Sequence, residues 1–178
     1  MFDLSAAPVL ETARLRLRVL RESDLDAFAG MSADPEVMRY LGATGQPVDR
    51  RGAWRILAIM VGHWAFRGYG FFAMEDKATG AFVGRTGLWQ PEGWPGLEIG
   101  WAVARERWGE GLATEAALAV RDYAFGTMNI PRLISLIRPD NKSSVKVAEK
   151  IGESFDRRID MDGEALVYAI EKQAVGAQ

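Results

Sequence analysis

Cysteine is absent from the 178-residue chain, which excludes disulfides, thiolate nucleophiles and thiolate metal sites. Histidine occurs once, at His63, so no histidine cluster can form and no metal is expected. Neither sign of charge is in surplus: 22 basic residues face 24 acidic ones, a net charge of −2, so no bulk attraction to nucleic acid is implied. Long apolar runs are missing too. The longest, Ile56 to Val61, falls far short of the roughly 20 residues that span a bilayer, and Met1-Phe2-Asp3-Leu4 lacks the basic region of a signal peptide. A cytoplasmic protein without membrane contact is expected. There is no internal repeat, low-complexity run or linker. A hydrophobic content of 48% suits one domain, residues 1–178, with a proper core.

What is present is organised around Leu97 to Glu115. Leu97, Ile99, Trp101 and Val103 alternate with Glu98, Gly100 and Ala102, a period of two that predicts a strand. From Leu112 the period changes, with Leu112, Ala116, Ala119 and Tyr123 at steps of three and four, so a helix opens near Gly111. Between them lie Gly109 and Gly111. The first amides of a helix are unpaired and sit at the positive end of its dipole, where they attract anions, and glycines let a phosphate approach closely. A dinucleotide fingerprint lacks its third glycine here, and no Gly-Lys-Ser or Gly-Lys-Thr follows as in a phosphate loop for ATP. A pyrophosphate held mostly by backbone amides remains, beside the bland alternative of a turn that only starts a helix.

In chain order, a strand is predicted at Arg14 to Val19, with Leu15, Leu17 and Val19 on one side and three arginines on the other. Ser23 and Asp26 suit a capping arrangement for a helix through about Gly30, and a short helix follows Pro35. A longer helix runs from about Asp49 to Phe66, weakened by Gly52 and Gly62 at about 1 kcal/mol each. Phe71 to Glu75 and Ala81 to Trp89 read as a hairpin turned at Thr79-Gly80, and Gln90 to Gly96 as an irregular loop. Its Trp94 either lines a cleft or covers an apolar edge. His63 is read as structural or solvated, although histidine is the usual general base. After the helix ending near Gly126 come a strand at Arg132 to Ile137 and a helix opened by Asn141, with Val145, Ala148 and Ile151 buried. A last hairpin, Phe155 to Asp160 and Glu164 to Glu171, turns at Asp162-Gly163, and Ala174 to Gln178 are expected to fray.

Trp108-Gly109-Glu110-Gly111-Leu112-Ala113-Thr114-Glu115-Ala116, after a strand reading Glu-Ile-Gly-Trp, resembles the acyl-coenzyme-A signature of the GNAT superfamily of N-acyltransferases. Asn141 to Gly152 looks like that family's next motif. Glu11 to Arg18 and Asp34 to Leu41 are similar to the branch containing RimJ and RimL, acetyltransferases of ribosomal-protein N termini. The resemblance spans nearly the whole chain.

It implies an α/β (α+β) GNAT fold: a mixed, mostly antiparallel sheet with flanking helices and a splayed central strand pair, here Leu97–Val103 and Arg132–Ile137. The gap would admit the pantetheine arm of acetyl-CoA, with backbone groups of Trp101, Ala102 and Val103 free to bind it. Trp108, Gly109, Gly111, Leu112, Ala113, Thr114 and Asn141 are the further cofactor-binding residues implied. The early helices would border the acceptor site. The implied reaction is direct attack of an amine on acetyl-CoA. A free α-amino group of pKa about 8 is about a tenth neutral at pH 7, a lysine of about 10.4 less than a thousandth, so an N terminus needs little help. Glu98 is the implied proton acceptor, the alternative being a solvated or helix-facing glutamate; with an ordinary pKa near 4.3, burial must raise it or a water must relay the proton.

Amides of the central strand could polarise the thioester carbonyl. The tyrosine that many GNAT enzymes use to protonate the leaving thiolate is absent here. Ser144 either takes that role or, with Ser143, caps the helix. Glu110 departs from the branch and would repel a solvated pyrophosphate by up to about 1 kcal/mol; Arg105 and Arg107 could offset it, and Lys142 or Lys146 could reach the phosphates. The acceptor is expected to be a peptide N terminus or a small-molecule amine. There is no direct nucleic-acid partner, and a homodimer is left open. A non-catalytic acyl-CoA-binding module is the alternative.

Overall fold

Strand β2, Leu15–Val19, alternates two fully buried leucines with arginines. Arg16 and Arg18 both bond Glu75 and so share the face opposite the leucines, as expected, but only Arg16 is exposed, whereas Arg18 is buried. The reason is charge pairing: Arg18 donates to both oxygens of buried Asp24, at 2.8 and 2.7 Å, and to Glu75 at 2.7 Å. The same Asp24 accepts from the Arg21 amide at 2.8 Å. Asp24 thus closes the capping box of the single turn Glu22–Asp24, inside which Ser23 lies, and the helix beyond it, α1, starts without a side-chain cap and runs Leu25–Ala33, past Gly30.

The computed structural model describes residues 1–172, so the expected fraying of Ala174 to Gln178 lies outside the described residues. Strands β1 (Leu10–Glu11), β2, β3 (Phe71–Asp76), β4 (Phe82–Trp89), β5 (Glu98–Val103), β6 (Arg132–Ile137), β7 (Ser154–Asp160) and β8 (Glu164–Glu171) form one sheet in the order β1-β2-β3-β4-β5-β6-β8-β7. Every neighbouring pair is antiparallel except β5 and β6. Helices α2 (Pro35–Met38) and α3 (Arg50–Arg67) follow α1, and Asp34 and Asp49 cap them through their side chains. Helices α4 (Leu112–Gly126) and α5 (Lys142–Lys150) complete the fold.

The sheet buries both faces. Leu15, Leu17, Phe72, Met74, Leu88, Ile99 and Val103 pack with Leu112, Ala116, Val120 and Ala124 of α4. On the other face, Phe71, Ala73 and Ala102 pack with α1 and α3 through Phe28, Met31, Leu57 and Met60. Alternation along β3, β4 and β5 thus sends adjacent residues to opposite cores. The α1–α3 face carries the cleft.

Candidate active site

Strands β5 and β6 touch at one register position, Glu98 against Ile134, held by Ile134 N to Leu97 O at 3.0 Å. Beyond it they diverge. The Ala104 amide bonds Val83 of β4 at 2.9 Å, while the Leu97 carbonyl points at β6. Backbone groups alternate in direction along a strand, so Ala102 faces β4, opposite Arg85, while Trp101 and Val103 face the gap. The implied free backbone groups therefore shrink: those of Ala102 belong to the β4 ladder. The Val103 carbonyl is taken as well, by the Trp108 indole N–H at 2.7 Å. Trp101 keeps both groups toward the gap, and Val103 its amide.

Gly109 and Gly111 both adopt φ +80°, left-handed backbone that a side chain resists, so they shape the turn; no atom crowds the place of a Gly109 Cβ. Gly111 is the N-cap of α4, leaving the first amides at Leu112, Ala113 and Thr114 without a side-chain cap. Beside this turn Glu110 is held by Arg107 at 2.8 and 2.9 Å, and Arg107 also donates to Asp76 at 2.8 Å. Arg105 turns instead to Asp34, at 3.8 Å. Only Arg107 of the two arginines compensates Glu110. Lys142 and Lys146 lie exposed on α5.

At the mouth of the splay lies a cleft of about 490 Å³ whose lining includes Glu98, Trp101, Asn141, Ser144, Trp94 and Arg85. Trp94 both lines it and donates its indole N–H to the Glu98 carboxylate at 2.7 Å. Burial pushes the Glu98 carboxyl up to about 7, against the pull of Trp94, Arg85 and the Leu136 amide. Asn141 caps α5, its Oδ1 accepting from the Ser144 amide at 3.1 Å, so the cap is the asparagine and neither serine. The Ser144 side chain is left on the cleft wall.

His63 has no spare nitrogen. Its Nε2 accepts from the Gln90 amide at 3.2 Å, so Nδ1 carries the proton and donates to the Tyr69 carbonyl at 2.9 Å. Burial lowers its pKa, and it stacks on Trp89 at 4.4 Å.

Two ionisable residues escaped the sequence reading. Arg85 sits mid-strand on β4 and lines the cleft, its guanidinium 4.3 Å above the Phe71 ring; a lone charge among Val83, Gly84, Gly87 and Leu88 was the available signal. Glu153 is buried, and neither carboxyl oxygen has a hydrogen-bond partner of good geometry among the described residues; the nearby Ser135 hydroxyl donates instead to the Ile99 carbonyl at 2.8 Å. Glu153 follows a glycine in an apparent loop, where no pattern marks burial.

A sheet opened at one parallel pair, with an uncapped glycine-turn helix on one side and a half-buried carboxyl on the other, defines an acyltransferase of the GNAT type. The GNAT acetyltransferase domain model matches residues 14–154. YkkB of Bacillus subtilis is 37% identical over 164 residues, 88% of this chain and 91% of that one. An Agrobacterium tumefaciens acetyltransferase structure superposes with a TM-score of 0.82 at 33% identity, covering 96% of both chains. Mycobacterium smegmatis RimJ, solved in complex with a coenzyme A disulfide, shares the fold at a TM-score of 0.77 and 22% identity over 93% of this chain and 88% of its own. The chain belongs to the GNAT family and is an acetyl-CoA-dependent N-acetyltransferase.

Proposed function

We propose that this one-domain enzyme acetylates a primary amine that enters the aromatic cleft, with Glu98 accepting the amine's proton. The observation that carries this is the Glu98 carboxyl itself: half-buried on the cleft wall, oriented by Trp94 and poised at about 7, where a general base works best near neutral pH. Acetyl-CoA, when bound, supplies the activated acetyl thioester.

The chain's residues fit that co-substrate. The uncapped amides of Leu112, Ala113 and Thr114, shaped by Gly109 and Gly111, suit a pyrophosphate, and the Arg107 pair removes the repulsion otherwise due to Glu110. Trp101's backbone groups and the Val103 amide suit the amides of an extended arm, while Trp108 fixes the end of β5. Asn141 keeps its NH2 group as a donor at the cleft, because capping uses only its oxygen. Ser144 holds an exchangeable proton on the α5 side of the cleft and is the candidate donor to the leaving sulfur. Acceptors range from peptide N termini, the substrates named for RimJ- and RimL-type enzymes, to small amines.

Glu98→Gln tests the reading. Free-thiol release should fall at least about 100-fold while calorimetric acetyl-CoA affinity is kept, the range expected when positioned acid–base help is removed. Unchanged turnover removes Glu98 from the mechanism. Lost cofactor binding gives it a structural role instead.

A further inference from the structure

Three cross-strand rows cross the cleft floor on the α1–α3 face. Trp89 faces Glu98; Phe71, Gly87 and Gly100 form the next row; Ala73, Arg85 and Ala102 form the third. The middle row carries one side chain. A Cβ at Gly100 would lie 3.2 Å from the Phe71 ring, so the missing side chains let that ring lie across the glycines. The Arg85 guanidinium rests on the ring at 4.3 Å, folded out of its own row toward that of Glu98.

There the guanidinium has no hydrogen-bond or ion-pair partner among the described residues, although it lies close enough for the Glu98 charge to act on it. Burial drives its pKa down to about 10, the signature of an under-compensated cation. The cleft's other lining arginine, Arg138, is spent on carbonyls of Met161, Asp162 and Glu164 at the β7–β8 turn. One planar guanidinium on an aromatic floor, short of one negative charge, matches one planar monoanion.

We infer that Arg85 binds a carboxylate carried by the acceptor, so that the substrates are amines with a carboxylate close to the amino group. This rests on the acetyl-transfer reading and narrows it. Polyamines and aminoglycosides bring further positive charge against Arg85 and are poor fits. The carboxylate has two sources, the α-carboxylate of a free amino acid or an acidic side chain beside a peptide's N terminus.

Product binding tests the inference without requiring turnover. On protein saturated with CoA, calorimetry compares N-acetyl-alanine, -leucine and -phenylalanine with their amides, and acetyl-Ala-Asp-amide with acetyl-Ala-Asn-amide. The carboxylate member of at least one set should bind about 10- to 100-fold tighter, the range for a charged hydrogen-bonded pair, and the favoured set identifies the source. In Arg85→Gln that ratio should collapse toward one; in Arg85→Lys, which keeps the charge and guards against a folding defect, it should be intermediate, with thermal melts run on both.

No carboxylate preference in the wild type, or one that survives Arg85→Gln, overturns the inference. A preference seen without thiol release from any matching free amine upholds Arg85 and counts against the Glu98 mechanism instead.

Discussion

Glu98, half-buried on β5, and the buried Glu153 titrate with opposite meanings. As the proposed base, Glu98 has to be ionised to act, so kcat/KM should rise with pH through an acid limb near 7, the value to which burial pushes it. A profile already flat from pH 5 upward would refute this. The limb should vanish in Glu98→Gln, which separates it from deprotonation of the amine itself. The Glu153 carboxyl is pushed from an ordinary 4.5 to about 8, by burial first and further by Glu98 nearby, against the pull of the Ser135 hydroxyl. With the folded pKa raised above the unfolded one, the folded state holds the extra proton between those values. Stability is therefore lost as pH rises from about 4.5 through about 8. Glu153→Met should melt higher than the wild type, by several °C at pH 8, with the gap shrinking toward pH 4.5. A gap that does not change with pH would show that Glu153 titrates alike in the folded and unfolded states.

At the scale of elements, the turn between β5 and α4 joins fold to chemistry. Arg107 ties Glu110 to Asp76 and so keeps a carboxylate beside the helix start electrically quiet. Arg107→Gln should weaken acetyl-CoA binding several-fold at low salt, and adding Glu110→Gln should restore most of it; failure of that restoration would assign Arg107 a direct phosphate contact. This element was legible in the sequence because a period of two, two glycines and a period of three to four are local signals. Most strands and helices were legible for the same reason, within a residue or two of their ends; α1 runs three residues past Gly30, and the two-residue β1 is too short to show a period. What could not be read depends on contacts between distant segments: Arg18 buried by Asp24 and Glu75, the Val103 carbonyl captured by Trp108, and Ala102 turned toward β4. Alternation tells which residues share a face but not which edge of a strand meets a neighbour. Glu98 and Asn141 came from family resemblance, while Arg85 matched no motif, and only its stacking on Phe71 shows it leaning toward Glu98.

Across the whole molecule, the sheet is two antiparallel blocks, β1–β5 and β6–β8, joined at a single parallel bridge. The helices of the early chain cover one face of the first block and α4 the other, so the cleft and the start of α4 lie on opposite faces of the sheet. Hydrogen exchange gives this arrangement a test. Without ligand, the amides of Trp101 and Val103 should exchange far faster than that of Ala102 between them, and acetyl-CoA should slow the first two selectively. Equal protection of all three in the free protein would mean that the gap is closed. A sheet ordinarily has two rims, where unpaired backbone attracts stray strands; this one has four, two of them internal. The inner rims are recessed within the fold, so another protein's strand is kept out while a slender chain of amides can thread between them. The defect that would make an outer edge prone to aggregation thus becomes, at the centre, a slot selective for thin guests.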